Sequence, residues 1–508
     1  MKRWGVAALV GVLAGAASLG VAVLLAGVAE WLGSAGGQPS PVIAVGGAFV
    51  DRSPAWLKDF AVATFGTNDK QALFVGMAVV LTALFAGLGV VAGRRRTAGL
   101  LGFAGVGAVG AAAVLTRPGA RVLDALPTLV GTVFGLWVLT RLLGLRRRAT
   151  DGGAFERRRF LMGSAGAAAL AAATAAAGQG LGGRAGQVAA SRAAVTVPEV
   201  TEPVAVPQGA SIAVEGLTPF VVPNEQFYRI DTALAVPQMD TAGWKLRVHG
   251  MVEREVTIDW GDLTAKKMTQ AMVTLTCVSN EVGGDLAGNA VWTGWPIREL
   301  LALAGPKPGA DMVLSQSIDG FTAGTPLEVL TDDRNALLAI GMNGEPLPVE
   351  HGFPVRMVVP GLYGYVSATK WVVDLKVTRY ADDLAYWTPR GWSPRGPIKT
   401  ASRIDVPRSG DQVKAGRVAV AGVAWAQHRG IQAVEVQVDD GQWQQATLAA
   451  EPTVDAWRQW VLPWQASRGS HTITVRATDG TGKLQDSRVA PPAPDGATGW
   501  HTVTVTVS

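Results

Sequence analysis

The residue best suited to do chemistry in this chain is its single cysteine, Cys277, set in TLTCVSNEVGGDLAGNAVWTGWPIREL at residues 274–300. One thiol excludes an intrachain disulfide, a Cys-rich zinc site and an iron–sulfur cluster, all of which need several thiolates. The ordinary role for a lone cysteine is that of a small buried apolar residue. Its surroundings point elsewhere. Thr274, Leu275 and Thr276 read as the end of a strand, and Ser279, Asn280, Gly283, Gly284, Gly288 and Asn289 form a polar, glycine-rich stretch able to bring backbone close to a ligand. A soft thiolate at such a junction suits a metal or a nucleophilic role.

CVSNEVGGDLAGNAVWTG resembles the cysteine loop of the sulfite oxidase family of molybdopterin enzymes. The likeness runs over about residues 215–505, and further motifs recur in order: PNEQFY (223–228), SIDGFTAGTP (317–326), MNGEPLPVEHGFPVRMVVPG (342–361) and YGYVSATKW (363–371). The resemblance implies molybdenum held on molybdopterin, Cys277 as the metal's protein ligand, and oxygen-atom transfer on a small substrate. A cysteine suits molybdenum better than the harder serine would. The pterin's phosphate and hydrogen-bonding edges call for Arg, Lys, hydroxyl and backbone N–H donors. In this sequence the implied cofactor contacts are Phe227, Tyr228, Arg229, Asp231, Asp319, His351 and Arg356 in EHGFPVR, and Gly364, Ser367, Thr369 and Lys370 in the closing loop. Cys277 and Arg229 are the candidate catalytic pair.

Two departures bear on substrate. Sulfite oxidases carry an arginine, asparagine and histidine run after the aromatic pair, where this chain has Arg229, Ile230, Asp231 and Thr232. They also carry a tyrosine shortly before MNG, where Ile340 stands in ALLAIGMNG. Both changes weigh against sulfite, with Arg229 as the one-residue-shifted replacement that keeps it open. An S-oxide, an N-oxide or another small oxoanion is the expected substrate class.

These residues belong to the second half of the chain. The first 180 residues are of different material: apolar runs near 5–29, 71–93, 97–116 and 124–144, then an Ala-rich run near 160–178. About 20 helical residues cross a bilayer core of roughly 30 Å, so five membrane-spanning helices are expected, with Gly and Ala allowing close helix approach. Lys2 and Arg3, Arg94–Arg96 and Arg146–Arg148 are placed together in the cytoplasm by the positive-inside rule. The loop near 31–69 and the turn RPGARVLDA (117–125) then lie outside, the two arginines of the turn counting against it. Arg157 and Arg158 ahead of Phe160 and Leu161 resemble a twin-arginine export signature, the alternative being a plain arginine cluster flanking a helix. Either way the fifth run carries the catalytic half outside the cytoplasm, on a multi-pass membrane protein. The net charge of +5 is largely accounted for by the membrane-flanking arginines and gives no reason to invoke nucleic acid.

Residues 181–215, rich in Gly, Ala, Val and Pro, read as a linker. Residues 216–395 read as an α+β molybdopterin domain: WKLRVHGMVEREVTIDW (244–260) alternates like two strands, and IRELLALAG (297–305) like a short amphipathic helix closed by Gly. AYWTPRGWSPRGPIKTASRIDVP (385–407) is an aromatic, Pro-rich connection. Residues 396–508 contain short alternating segments such as RVAVAGVAWA, QAVEVQVDDGQW, HTITVRATDG and WHTVTVTVS, which suggest an immunoglobulin-like β-sandwich. In the resembled family such a domain commonly mediates dimers.

All five histidines, His249, His351, His428, His471 and His501, follow the apolar runs, and no C-x-x-C-H motif occurs, so the spans hold no bis-His haem. Electrons would then be exchanged with a separate cytochrome, or with quinone reaching the site directly. Two other classes compete: a membrane-anchored binding or scaffold protein built on the β-sandwich, and a cysteine hydrolase with His351 as base to Cys277.

Overall fold

A computed structural model describes residues 3–508, apart from 33, 55–56, 58–59, 61–63, 66–68, 152–153 and 182–184. The chain divides into two compact units, residues 1–188 with 233–238, and residues 189–232 with 239–508.

In the first unit, long apolar segments make the helices α1 (Arg3–Trp31), α3 (Asp69–Arg94), α4 (Arg96–Leu115), α5 (Leu126–Asp151) and α6 (Ala154–Leu181), with a short α2 (Pro41–Arg52) inside the first loop. Five stretches within them, Trp4–Trp31, Lys70–Arg94, Arg96–Leu115, Val122–Arg148 and Arg157–Gly178, are long and apolar enough to cross a membrane. The helix α1 packs against α3, α5 and α6. Glycine makes this contact possible. A Cβ on Gly11 would lie 2.7 Å from Gly89 Cα, and one on Gly89 would run into Ala7 O, so α1 and α3 meet backbone to backbone. At one end of the bundle, buried Asp124 accepts from Gly37 N at 2.9 Å and Arg121 N at 2.9 Å, while Arg117 pairs with Asp51 at 2.9 Å. These bonds tie the first loop to the 117–125 turn. At the other end Arg94 lies 3.3 Å over the Trp4 ring.

The second unit holds two β-rich halves. In the first, one sheet runs β2 (Val256–Asp259), β1 (Lys245–Gly250), β10 (Val372–Thr378), β5 (Met312–Ser317), β6 (Thr322–Pro326), with β1 and β10 parallel. A second runs β3 (Thr269–Thr276), β4 (Ala287–Pro296), β7 (Leu337–Met342), β8 (Glu345–Pro346), with β9 (Arg356–Val358) also on β7. The amphipathic helix Ile297–Ala304 buries Ile297, Leu300, Leu301 and Ala304 and ends at Gly305, whose φ of +68° is the left-handed conformation that closes a helix. These elements share a core with Trp244, Leu246, Trp295 and Leu375.

In the second half, a sheet of β11 (Ala401–Val406), β13 (Gly416–Trp425), β17 (Arg458–Ala466) and β16 (Thr447–Leu448) and a sheet of β12 (Gln412–Val413), β19 (His501–Val507), β18 (Gly469–Asp479), β14 (Ile431–Val438) and β15 (Gln444–Gln445) bury a common core. The first of these strands, β11, falls inside the stretch expected to be a connection.

Within the expected linker 181–215, Ala185–Ala194 form a helix, and from residue 189 the segment groups with the β-rich unit. The cause is polar. Arg192 donates from Nε to Leu347 O at 2.9 Å and from Nη2 to Pro346 O at 2.8 Å. Val204 N then donates to Gln270 Oε1 at 3.0 Å and Ile212 N to Gln459 Oε1 at 2.6 Å, strapping the segment along both halves.

Candidate functional site

Cys277 opens the connection between β3 and β4, one residue beyond the paired Thr276 and Ala287. Its N–H extends the ladder by donating to Leu286 O at 2.9 Å, and its carbonyl accepts from Asn280 N at 3.1 Å. The Asn280 side chain closes the loop by accepting from Leu286 N at 2.8 Å. Gly288 is required here, because a Cβ would stand 2.7 Å from the Phe227 ring. The loop is also keyed from outside: buried Gln427 donates to Thr274 O at 2.8 Å and Thr276 Oγ1 at 3.0 Å, Trp457 N donates to Thr274 Oγ1 at 2.7 Å, and Arg403 donates to Gly284 O at 2.7 Å.

Cys277 lines a cavity of about 160 Å³ together with Phe227, Tyr228, Asp231, Asp319, His351, Arg356, Gly364 and Lys370. Burial pushes the Cys277 thiol upward, against the bonds from Ser279. The buried phenol of Tyr228 is raised well above its usual range, with Cys277 adding to the rise and Arg356 opposing it, so it stays a protonated donor. His351 sits in a turn after β8, stacked edge-on against Phe227 at 5.6 Å. Burial first, then Arg356 and Lys370, lower its pKa to about 4. Its Nε2 lies 3.2 Å from Asn224 O. A carbonyl only accepts, so the neutral ring carries its proton on Nε2 and leaves Nδ1 as an acceptor.

Arg356, at the start of β9, is the most telling charge. It is buried, donates only to carbonyls (His351 O at 3.1 Å, Met357 O at 3.4 Å), lies 5.0 Å over the Trp292 ring, and has no carboxylate within ion-pair distance among the described residues. Burial lowers its pKa to about 10. Lys370 donates from Nζ to Asp231 Oδ2 at 2.8 Å, and Arg229 donates from Nε to the same oxygen at 2.9 Å. Burial outweighs Asp231 and brings Lys370 down to about 8. Lys370 and Arg229 thus share Asp231, while Arg356 has no carboxylate partner among the described residues, and an uncompensated buried guanidinium asks for an anion. Next to Lys370, Trp371 is held at φ +50°, a strained conformation for a bulky residue, with its indole donating to Val349 O at 2.9 Å.

Some expected site residues are placed elsewhere. Ser367 and Thr369 are fully buried and turn into the protein: Ser367 donates to Tyr363 O at 2.9 Å, and Thr369 shares a bond of 2.7 Å with Ser315. Arg229 is engaged with Asp231 and does not line the cavity. Ile340 lies in the apolar core, away from the lining, whereas Ile230 does line the cavity. Gly364 does line the cavity, and a Cβ there would meet no protein atom nearer than 3.5 Å. Phe321, Tyr365, Trp387 and Trp392 also line the cavity, and the sequence reading passed over them. Phe321 and Tyr365 stand inside the motifs SIDGFTAGTP and YGYVSATKW, and the visible signal for Trp387 and Trp392 was the aromatic density of YWTPRGW at 386–392.

A family described as the oxidoreductase molybdopterin binding domain matches residues 233–387. The "Uncharacterized oxidoreductase YuiH" of Bacillus subtilis (strain 168) is 32% identical over 157 residues, covering 31% of this chain and 76% of that one. Mitochondrial sulfite oxidases of Mus musculus and Homo sapiens are each 30% identical over 321 residues, 54% of this chain and 58% of theirs. The chain belongs to the sulfite oxidase family of molybdopterin oxidoreductases. It spans about three-fifths of the length of those sulfite oxidases, 58%. The cofactor of the family, molybdenum on molybdopterin, fits the residues present: a soft thiol at the cavity wall, a buried arginine with no counter-anion among the described residues, a largely buried lysine and a neutral histidine acceptor.

Proposed function

We propose that this protein is a membrane-anchored oxidoreductase that transfers an oxygen atom to or from a small substrate, an S-oxide, an N-oxide or a sulfite-like oxoanion, outside the cytoplasm. The observation that carries the reading is Cys277 at the wall of a cavity that also holds the unpaired, buried Arg356. The bound group supplies the two-electron chemistry that moves the oxygen atom. The chain's residues supply the rest. Cys277 Sγ is the soft protein ligand, and its loop is fixed by Asn280 and Gln427. Arg356 and Lys370 neutralise the anionic pterin, and Asp231 holds Lys370 in place. His351 offers Nδ1 as an acceptor to a pterin N–H. Tyr228 keeps its proton and donates it as a hydrogen bond toward developing negative charge on substrate oxygen.

The two competing classes fare worse. A hydrolase would need an imidazole bonded to the thiol, yet His351 is bonded to Asn224 O and Cys277 is pushed toward its neutral form. A scaffold protein gives no use for a cationic cavity beside a thiol. For the anchor, the support is the five apolar helices, the loops tied at one bundle end by Asp124 and Arg117, and the basic clusters of α3 and α5. The twin-arginine reading of Arg157 and Arg158, the immunoglobulin-like reading of residues 396–508 with dimerisation, and a separate cytochrome or quinone as electron partner complete the proposal.

Metal and pterin analysis of the purified full chain tests it. We expect about one molybdenum and one pterin per chain, and Cys277→Ser that keeps the fold and loses oxo-transfer activity at least about a thousandfold. Full turnover in that variant with an unchanged molybdenum absorption edge would overturn the assignment.

A further inference from the structure

Three separate pieces of chain bring aromatic rings to the lining of the cavity: the β5–β6 turn, the turn before β10, and the stretch at 386–392. Phe321 meets Tyr386 at 5.8 Å between ring centroids, Tyr386 meets Trp387 at 5.1 Å, Trp387 meets Trp392 at 6.1 Å, and Trp392 meets Tyr365 at 5.9 Å. The rings form an unbroken wall, and four of the five line the cavity. The wall is fixed by backbone. Gly391, at φ +95°, reverses the chain so that Trp392 N donates to Trp387 O at 3.3 Å. The Tyr365 hydroxyl donates to Ser393 O at 2.7 Å, joining two of the three pieces. Phe321 N donates to Asp319 Oδ1 at 3.1 Å, which sets the third. The rings are half-buried, so they are held in place yet keep surface to offer.

We infer that Phe321, Tyr365, Trp387 and Trp392 are an aromatic subsite that selects a neutral organic oxide by its aryl or alkyl group and disfavours a bare inorganic oxoanion. The inference rests on the oxo-transfer reading above and names the substrate class for it. Ring faces carry negative potential and give apolar contact, so they attract hydrocarbon and repel anions. Arg356 and Lys370 are assigned above to the anionic pterin; the uncharged rings have no such use and are suited to the hydrocarbon part of a substrate. In the reducing direction one organic sulfoxide takes up two electrons and two protons and yields one thioether and one water, with the electrons drawn from a one-electron donor. The sulfur–oxygen bond breaks, sulfur is reduced, and the oxygen leaves as water.

The test uses the full chain in detergent with its molybdenum content measured and reduced methyl viologen as donor. Methyl phenyl sulfoxide is expected to exceed dimethyl sulfoxide in kcat/KM by at least about tenfold, since a phenyl ring in place of a methyl buries far more apolar area. Trp392→Ala should raise KM for the phenyl compound about tenfold with kcat little changed, raise KM for dimethyl sulfoxide by a clearly smaller factor, and be largely rescued in Trp392→Phe. Calorimetric titration with methyl phenyl sulfone, which mimics the substrate without needing turnover, should show binding that Trp392→Ala loses and Trp392→Phe keeps. Equal kcat/KM for the two sulfoxides, or sulfone binding indifferent to both variants, would overturn the aromatic subsite. Sulfone binding with that variant pattern, but no sulfoxide turnover by molybdenum-loaded protein, would leave the subsite standing and overturn the sulfoxide-reducing form of the oxo-transfer reading.

Discussion

The helical unit and the β-rich unit are held together by opposite means. Between α1 and α3 the contact is backbone against backbone at Gly11 and Gly89, and its specificity lies in what side chains are absent. Around the Cys277 loop the contacts are polar keys that span more than a hundred residues: Gln427 to Thr274 and Thr276, Trp457 to Thr274, Arg403 to Gly284. In the proposed membrane anchor, apolar helices gain nothing by removing their outer faces from lipid, so shape must choose their partners. A loop that has to present one thiol at one place needs directional bonds, and buried donors without partners are costly. The lesson is that tolerance to substitution should differ in kind between the two.

The largest effect is expected for Gly89→Leu, which drives a side chain into Ala7 O and Gly11. Overpacking at fixed backbone should cost about 3 kcal/mol or more in the helical unit and leave the β-rich unit's melting unchanged. Thermal unfolding in detergent, followed separately by helix and strand signals, reads this out; an unaltered helix transition would show that these backbones do not touch. Next comes Gln427→Ala, which strands the Thr274 carbonyl and Thr276 hydroxyl and should cost about 2–3 kcal/mol in denaturant unfolding. Molybdenum retention should fall with it, whereas Gln427→Glu should restore neither, since a carboxylate cannot donate to a carbonyl. If Gln427→Ala matches the wild type in both, the loop is positioned without the sandwich.

The smallest effect concerns pH. His351 is held near 4 against an unfolded value of about 6.5, so between these values the unfolded chain binds a proton that the folded one does not. Stability therefore falls as pH drops through that window and rises as pH climbs back. Between pH 7 and 5 the change from this residue is about 2 kcal/mol. Comparing denaturant midpoints of wild type and His351→Gln at both pH values isolates it: the variant should lose that part of the slope, and identical slopes would place the histidine in water.

What could be read from sequence alone was what is local or spaced by a fixed period. The five apolar runs matched the helices to within a few residues, and the family resemblance of the Cys277 loop and of EHGFPVR singled out Cys277, His351 and Arg356, which line one cavity in the structure. Register and facing were not legible. Every residue of β7 is buried, so no polar alternation shows which way Ile340 points, and a motif match placed it at a wall it does not form. Arg192 gave no hint in a stretch without periodicity that it would bind two carbonyls of the 346–347 turn. The aromatic wall is assembled from pieces whose neighbours along the chain are about 20 to 45 residues apart, and only tertiary folding brings Phe321 beside Tyr386 and Tyr365 beside Trp392.

Residues 233–238, ALAVPQ, group with the helices although the chain before and after them belongs to the β-rich unit. A side chain at Gly46, in α2, would stand 2.9 Å from Leu234 Cδ1, so this short excursion is packed where it lies. A recombinant fragment beginning at residue 189 would keep the whole β-rich unit but strip those six residues of their neighbours. Such a fragment should be sticky, adsorbing to surfaces and self-associating through Leu234 and Val236, and its handling in the laboratory would improve on replacing that excursion with a short polar bridge.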